Sequence, residues 1–212
     1  MSFPIEIFQD HFTLPQGIDI LVMKIPGILD WILPGAVPDN YRTMGKKRFR
    51  KSDFSREILS KSELAYLNGF KALKKQAEWL SGRVALKTLL HKTIMPQTPM
   101  AGIGISYKDK GAPYVVQLPH APISLSHSSR LTAAAVSRDF SLTIGLDLEK
   151  IGPCPDAHFL KTAFTTREIN EMTVRARDIF ANWTLKEAFL KYLKLGFNES
   201  LHQVEIINNK IY

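Results

Sequence analysis

Three carboxylates and their neighbouring lysines, in two separated stretches, are the residues of this chain best suited to chemistry. In Thr143-Ile144-Gly145-Leu146-Asp147-Leu148-Glu149, the apolar Ile144, Leu146 and Leu148 alternate with Gly145, Asp147 and Glu149. That alternation predicts a strand with one apolar and one acidic face. Side chains two apart on a strand lie roughly 6.5–7 Å from each other, close enough for both carboxylates to bracket one hard cation. The second stretch is Trp183-Thr184-Leu185-Lys186-Glu187-Ala188-Phe189-Leu190-Lys191. Glu187 and Lys191 are four apart and share a face of a predicted helix, where an exposed ion pair is the ordinary reading. Phe180, Trp183, Phe189, Tyr192 and Leu193 make this helix too apolar to be solvated all round. Burying Glu187 and Lys191 is costly unless each has a partner, and a metal ion and phosphate oxygens are such partners.

Three carboxylates with no histidine or cysteine cluster favour Mg²⁺ or Mn²⁺ over zinc. Magnesium sites with few carboxylates complete their shell with water and substrate phosphate, which gives Lys186 and Lys191 a role as phosphate ligands. The chemistry suggested is metal-assisted phosphoryl chemistry. His127, between Ser126 and Ser128 at a predicted strand end, is a further candidate. A structural histidine is the competing reading.

These residues need elements to hold them. Residues 18–25, 103–107, 114–118, 123–128 and 204–207 read as strands, and Phe3, Ile5, Ile7 and Phe8 as the start of another. Residues 131–137 and 143–149 read as an antiparallel pair joined by Arg138-Asp139-Phe140-Ser141. An amphipathic period runs over 62–92, with Ser60 or Ser62 as a cap and Gly69 or Gly82 as a break or a close-packing point. Helices follow over about 157–173 and 178–195. Thr165 with Glu168 three later is a capping box, a structural role rather than a catalytic one. The mixture indicates an α+β fold.

The chain has 212 residues, 45% of them hydrophobic, enough for a substantial core. No run of about 18 apolar residues predicts a membrane span, and residues 1–10 do not read as a signal peptide. One cysteine, Cys154, fits a reducing, cytoplasmic setting. The net charge of +8 is unevenly spread: residues 41–92 hold 14 Lys and Arg against 4 Asp and Glu, so the rest is nearly neutral. Such a region, including the run Lys46-Lys47-Arg48-Phe49-Arg50-Lys51, suits an acidic partner or a phosphorylated ligand. A non-catalytic nucleic-acid-binding protein is the alternative, marked by steeply salt-dependent affinity that ignores Asp147.

Ser124-Leu125-Ser126-His127-Ser128, Gly145-Leu146-Asp147-Leu148-Glu149 and the 183–191 stretch, in this order, resemble the signatures of the 4′-phosphopantetheinyl transferases, and their spacing resembles the surfactin-type branch. The resemblance covers about residues 60–207. It implies an α+β pseudo-dimer in one chain, each half a small, mainly antiparallel sheet with a long helix. Residues 1–118 would form a half with a basic, coenzyme A-facing region, and 119–212 the half with the metal site. It also implies transfer of phosphopantetheine from coenzyme A to a serine of an acyl or peptidyl carrier protein, with release of adenosine 3′,5′-bisphosphate.

By that resemblance Asp147, Glu149 and Glu187 hold Mg²⁺. Lys191, with Lys186 as a second contact, meets the pyrophosphate, His127 reaches the 3′-phosphate, and Ser126 joins the coenzyme A contacts. Glu187 or Glu149, through a water, takes the serine proton. Lys74-Lys75-Gln76-Ala77-Glu78-Trp79-Leu80-Ser81-Gly82-Arg83 resembles a stretch of siderophore-synthesis members, which adds Lys75 and Arg83 as phosphate contacts. In Gly111-Ala112-Pro113 an alanine stands where the family has lysine, and Lys110 is the nearby substitute. A degenerate homologue that binds carrier protein without turnover is a further alternative. The implied protein is a cytoplasmic monomer, with neither membrane nor nucleic acid as a partner.

Overall fold

The computed structural model describes residues 8–35, 40–54, 57–194, 201–208 and 210–212. Its main sheet is built from β1 (Phe8–Leu14), β2 (Ile18–Lys24), β5 (Ile123–Ser128) and β6 (Leu131–Ser137), in the order β1-β2-β6-β5. Every neighbouring pair is antiparallel. Two hairpins complete the strands: β3 (Ile105–Tyr107) with β4 (Pro113–Val115), and β7 (Ile206–Ile207) with β8 (Lys210–Ile211). The fold is α+β, as expected. The main sheet joins strands from both sides of the 118/119 division, because β2 pairs with β6. Of the expected N-terminal strand, residues 1–7 lie outside the described residues.

The alternation of the strands sorts their side chains onto two faces. Leu21, Met23, Ala134 and Val136 face the large core built around α3 (Leu73–Thr93), which also takes in Ile28 and Leu29 of α1 (Ile25–Ile32). Ile20 and Ala135 face the other way and meet Ile144, with Ile18, Val22 and Leu146 around it. The apolar face predicted for 143–149 is therefore real.

Its predicted partner is not. Both edges of β6 are occupied, by β2 and by β5, so no edge remains for residues 143–149. They run as extended chain outside any ladder.

The helical period over 62–92 divides into α2 (Lys61–Gly69) and α3, broken at Phe70, Lys71 and Ala72. Gly69 ends α2. Gly82 stays inside α3, where a Cβ would lie 3.9 Å from Leu125 Cδ1. The 157–173 segment likewise divides into α4 (Ala157–Ala163) and α5 (Thr166–Glu171), and α6 spans Ala176–Leu193.

One device occurs twice. Ser60 caps α2 and Glu63 closes its capping box, while Lys87 of α3 donates to Glu63 Oε2 and, at 3.0 Å, to the Ile58 carbonyl. Thr165 caps α5 and Glu168 closes its box, while Lys186 of α6 donates to Glu168 Oε2 at 2.6 Å and to the Ala163 carbonyl at 3.0 Å. In both cases the carbonyl belongs to the residue two before the cap. Lys87 and Lys186 are fully buried. Such pairs persist only where each charge is fully partnered. The same arrangement thus recurs on the two long helices, α3 and α6.

Candidate functional site

β5 distributes the residues of its motif by strand alternation. Ile123 and Leu125 face the α3 side, and His127 on that side reaches Glu78 of α3, with Nε2 3.5 Å from Oε2. Ser124, Ser126 and Ser128 point the other way, to residues 146–150. Ser124 Oγ accepts from Leu146 N at 2.9 Å and Ser128 Oγ accepts from Lys150 N at 3.0 Å. Ser126 Oγ donates to Asp147 Oδ1 at 2.8 Å and Ser128 Oγ donates to Glu149 Oε2 at 2.9 Å. Three hydroxyls thus replace the backbone ladder that residues 143–149 lack. Those of Ser126 and Ser128 bind the two carboxylates directly. Ser124 and Ser128 were not singled out by sequence reasoning, although their period-two spacing with Ser126 was visible.

α6 closes over this segment at Gly145. A Cβ there would lie 1.9 Å from the Ala188 carbonyl oxygen and 2.5 Å from Tyr192 N, both backbone atoms of α6. Only a residue without a side chain permits that approach. It brings Lys191 to Asp147: Nζ donates to Asp147 Oδ1 at 2.6 Å and to Ser126 Oγ at 3.0 Å. The lysine is therefore engaged across the segment rather than spent on a helix-surface pair. Glu187, one helical turn earlier, is 4% exposed. Burial pushes its carboxyl up to about 7; the charges of Asp147 and Glu149 add to the effect and Lys191 opposes it.

Asp147, Glu149, Glu187, Lys191, Ser126, His127, Lys75, Arg83 and Lys110 all line one cavity of about 600 Å³. Glu78, Trp183 and Lys194, not predicted for it, line it too. Lys186 is absent from that lining. Its expected role as a phosphate contact is corrected by its complete burial against Glu168, Ala163 and the ring of Phe164. Arg83 reaches the cavity but is 2% exposed and otherwise committed, with Nε 3.4 Å from Glu63 Oε1 and its guanidinium over Trp79 and Tyr107. Lys75, exposed and 3.4 Å from Glu78, is the freer of the two α3 cations.

A hard cation fits this donor set in chemistry. Asp147 Oδ2 and Glu187 Oε1 are buried and have no hydrogen-bond partner, and the charges of Asp147 and Glu149 disfavour the ionised form of Glu187. A divalent ion would relieve both costs. Among the described residues, no three carboxylate, histidine or cysteine side chains already converge as a metal cluster. Ser126→Ala is expected to lower the free energy of unfolding by about 1.5–3 kcal/mol, the usual size for a bond to a charged group, in a urea titration. Ser126→Thr, which keeps the hydroxyl, should lose less.

The segment that carries the carboxylates and α6 is also the one that matches a known family model. A sequence model of the 4′-phosphopantetheinyl transferase superfamily matches residues 143–211. Over that segment the chain is similar to the superfamily, and the remaining residues lie outside the match. Two curated relatives are the 4′-phosphopantetheinyl transferases Sfp of Bacillus subtilis strain 168, 27% identical over 136 residues, and ffp of Bacillus subtilis, 26% identical over 132. They cover 58% and 60% of this chain. A third, slr0495 of Synechocystis sp., is 28% identical over 159 residues and covers 69%. This chain spans 61% of slr0495, 58% of Sfp and 56% of ffp. A solved holo-(acyl-carrier-protein) synthase of Bacillus anthracis, in complex with CoA (3′,5′-ADP), covers 57% of the chain and 93% of its own length, at 20% identity and a TM-score of 0.40.

The superfamily match spans Gly145, Asp147, Glu149, Glu187 and Lys191, the residues that meet at the α6 contact. His127, Lys75, Arg83 and Lys110 lie outside the matched segment and enter the site through the cavity they share with it.

Proposed function

We propose that this protein transfers the 4′-phosphopantetheine group of coenzyme A to a serine hydroxyl of an acyl or peptidyl carrier protein and releases adenosine 3′,5′-bisphosphate. The observation that carries the reading is the meeting of Asp147, Glu187 and Lys191 in one cavity, within the segment that the superfamily matches. The serine oxygen forms a bond to the phosphorus that bears the pantetheine. The bond from that phosphorus to the bridging oxygen of the pyrophosphate breaks. The serine proton passes through a water to Glu149 or Glu187.

Lys191, fixed by Asp147 and Ser126, places its ammonium where charge develops on the leaving phosphate. Asp147, Glu149 and Glu187 would hold Mg²⁺ or Mn²⁺, which supplies neutralisation of the pyrophosphate when bound. Lys75 and Lys110, on the cavity wall, supply further cationic contacts, with Arg83 behind them. His127 takes the 3′-phosphate. We place the reaction in the cytoplasm, a setting that suits the exposed Cys154. No described helix is long and apolar enough to cross a membrane.

Incubation with coenzyme A, Mg²⁺ and an apo carrier protein is expected to add one phosphopantetheine mass to the carrier. A folded protein that leaves several carriers unchanged would contradict the proposal. Within the basic region, Arg83 and Lys87 are buried and Lys75 lines the cavity.

The metal assignment also has a stability signature. With its carboxyl raised from 4.5 to about 7, Glu187 binds more protons folded than unfolded across that interval. Its contribution to stability therefore falls as pH rises through it. Without metal, the melting temperature should drop between about pH 4.5 and 7 more in the wild type than in Glu187→Gln. Added Mg²⁺ should stabilise the wild type more at pH 7.5 than at pH 5, because only the ionised site binds it well. Scanning fluorimetry across pH, with and without Mg²⁺, reads both; parallel curves for the two proteins would remove Glu187 from the site.

A further inference from the structure

Glu78 is the one acidic side chain among the α3 residues of the cavity wall. It is 8% exposed, and Oε2 is buried with no hydrogen-bond partner. Cations surround it: Lys74 Nζ at 3.7 Å, Lys75 Nζ at 3.4 Å and His127 Nε2 at 3.5 Å. Burial would push its carboxyl up, but His127, Lys75 and Lys74 outweigh burial and hold it at about 2. An ionised carboxylate is therefore fixed in a wall that must accept an anionic ligand. Touching a phosphate itself, it would repel it. Its three partners, two lysines and a histidine, are side chains that bind phosphate.

We infer that Glu78 is a positioning residue that orients His127 and Lys75 into the cavity and thereby makes it select a ligand carrying an additional phosphomonoester, the 3′-phosphate of coenzyme A, over the dephospho form. The inference rests on the coenzyme A reading above.

The geometry gives the means. His127 is about half exposed, and its ring meets Glu78. A carboxylate oxygen 3.5 Å from Nε2 holds the orientation of the ring at the cavity wall. Lys75, 63% exposed and long, is likewise tethered by the same carboxylate from three residues away on α3. Glu78 thus holds His127 and Lys75 to one point of the wall, and with Lys74 and Lys75 both beside it the cluster stays positive. In the sequence, the spacing of Glu78 from Lys74 and Lys75 is the signal for this cluster.

The test is calorimetric binding of adenosine 3′,5′-bisphosphate and of adenosine 5′-phosphate to the full chain, in the wild type, Glu78→Gln, His127→Ala and the double variant. The wild type should prefer the bisphosphate. Each single change should shrink that preference by about tenfold or more, the scale of one charge-assisted hydrogen bond. The double variant should lose little further, because both changes remove one device. His127 is exposed enough for its variant to fold, and the ratio of two ligands on one protein corrects for partial unfolding.

Equal losses for both nucleotides, an unchanged preference in Glu78→Gln, or additive losses in the double variant would overturn the role of Glu78. Failure of the folded wild type to bind either nucleotide would overturn the coenzyme A reading, and this inference with it.

Discussion

Gly145→Ala is expected to reduce the rate of phosphopantetheine transfer by about a hundredfold or more, while leaving a protein that still folds. The added methyl would sit 1.9 Å from a carbonyl oxygen and 2.5 Å from an amide nitrogen of α6. Neither is the end of a flexible side chain, so either α6 or residues 143–149 must move. Overpacking of this kind costs about 1–3 kcal/mol, occasionally more. The site pays a larger penalty. Asp147 and Glu149 ride on one side of the contact and Glu187 and Lys191 on the other, and Lys191 spans it at 2.6 Å. A shift of about 1 Å in such a constellation is enough for a hundredfold loss. Turnover and melting temperature should be measured together. Near-normal turnover would mean that the segment has slack, and that the Gly145 approach is not what aligns the acids with α6.

Lys186→Met is expected to destabilise the fold by about 3–5 kcal/mol, the cost of leaving a buried charge without its partner. The lysine is fully buried, donates to Glu168 and the Ala163 carbonyl, and lies 5.2 Å from the Phe164 ring centroid. Burial pulls its pKa down, and Glu168 opposes that shift. Glu168 also accepts from Thr165 N and Ile206 N, so the pair ties α5, α6 and β7 together. Adding Glu168→Gln to Lys186→Met should recover part of the loss, because the orphaned charge is gone.

Lys87→Met should behave in the same way against Glu63. Urea unfolding gives the magnitudes. A loss below about 1 kcal/mol, with a raised KM for coenzyme A, would return Lys186 to the phosphate role that the sequence suggested.

That correction shows where sequence reasoning reaches its limit. The acids were legible because Asp147 and Glu149 alternate with apolar residues and Glu187 sits in an apolar helix. The capping box at Thr165 was legible because its geometry is local, and it stands as expected. What stayed hidden depends on contacts distant in the chain. Lys186 adjoins Glu187 in sequence but points to Glu168. Residues 143–149 have a strand's alternation, yet the edges of β6 were already taken by β2 and β5. Period alone does not reveal which strands compete for an edge.

The serine hydroxyls that hold the segment instead were visible as residues, not as partners. Gly145 was quoted as part of a motif with no reason for being glycine; the backbone of α6 supplies one. The continuous helical period over 62–92 hid the break at Phe70–Ala72, since α2 and α3 both keep apolar residues at helical spacing.

The most direct measurement follows the two products of one reaction together. Purified protein, coenzyme A, Mg²⁺ and an apo carrier protein are sampled over time, with carrier mass and free adenosine 3′,5′-bisphosphate quantified in each sample. The account predicts that each carrier that gains a phosphopantetheine group is matched by one bisphosphate released. It also predicts that Glu187→Gln and Lys191→Ala lower both rates together by about a hundredfold or more. Carrier modification at full rate in both variants, or no modification by the folded wild type, would contradict it.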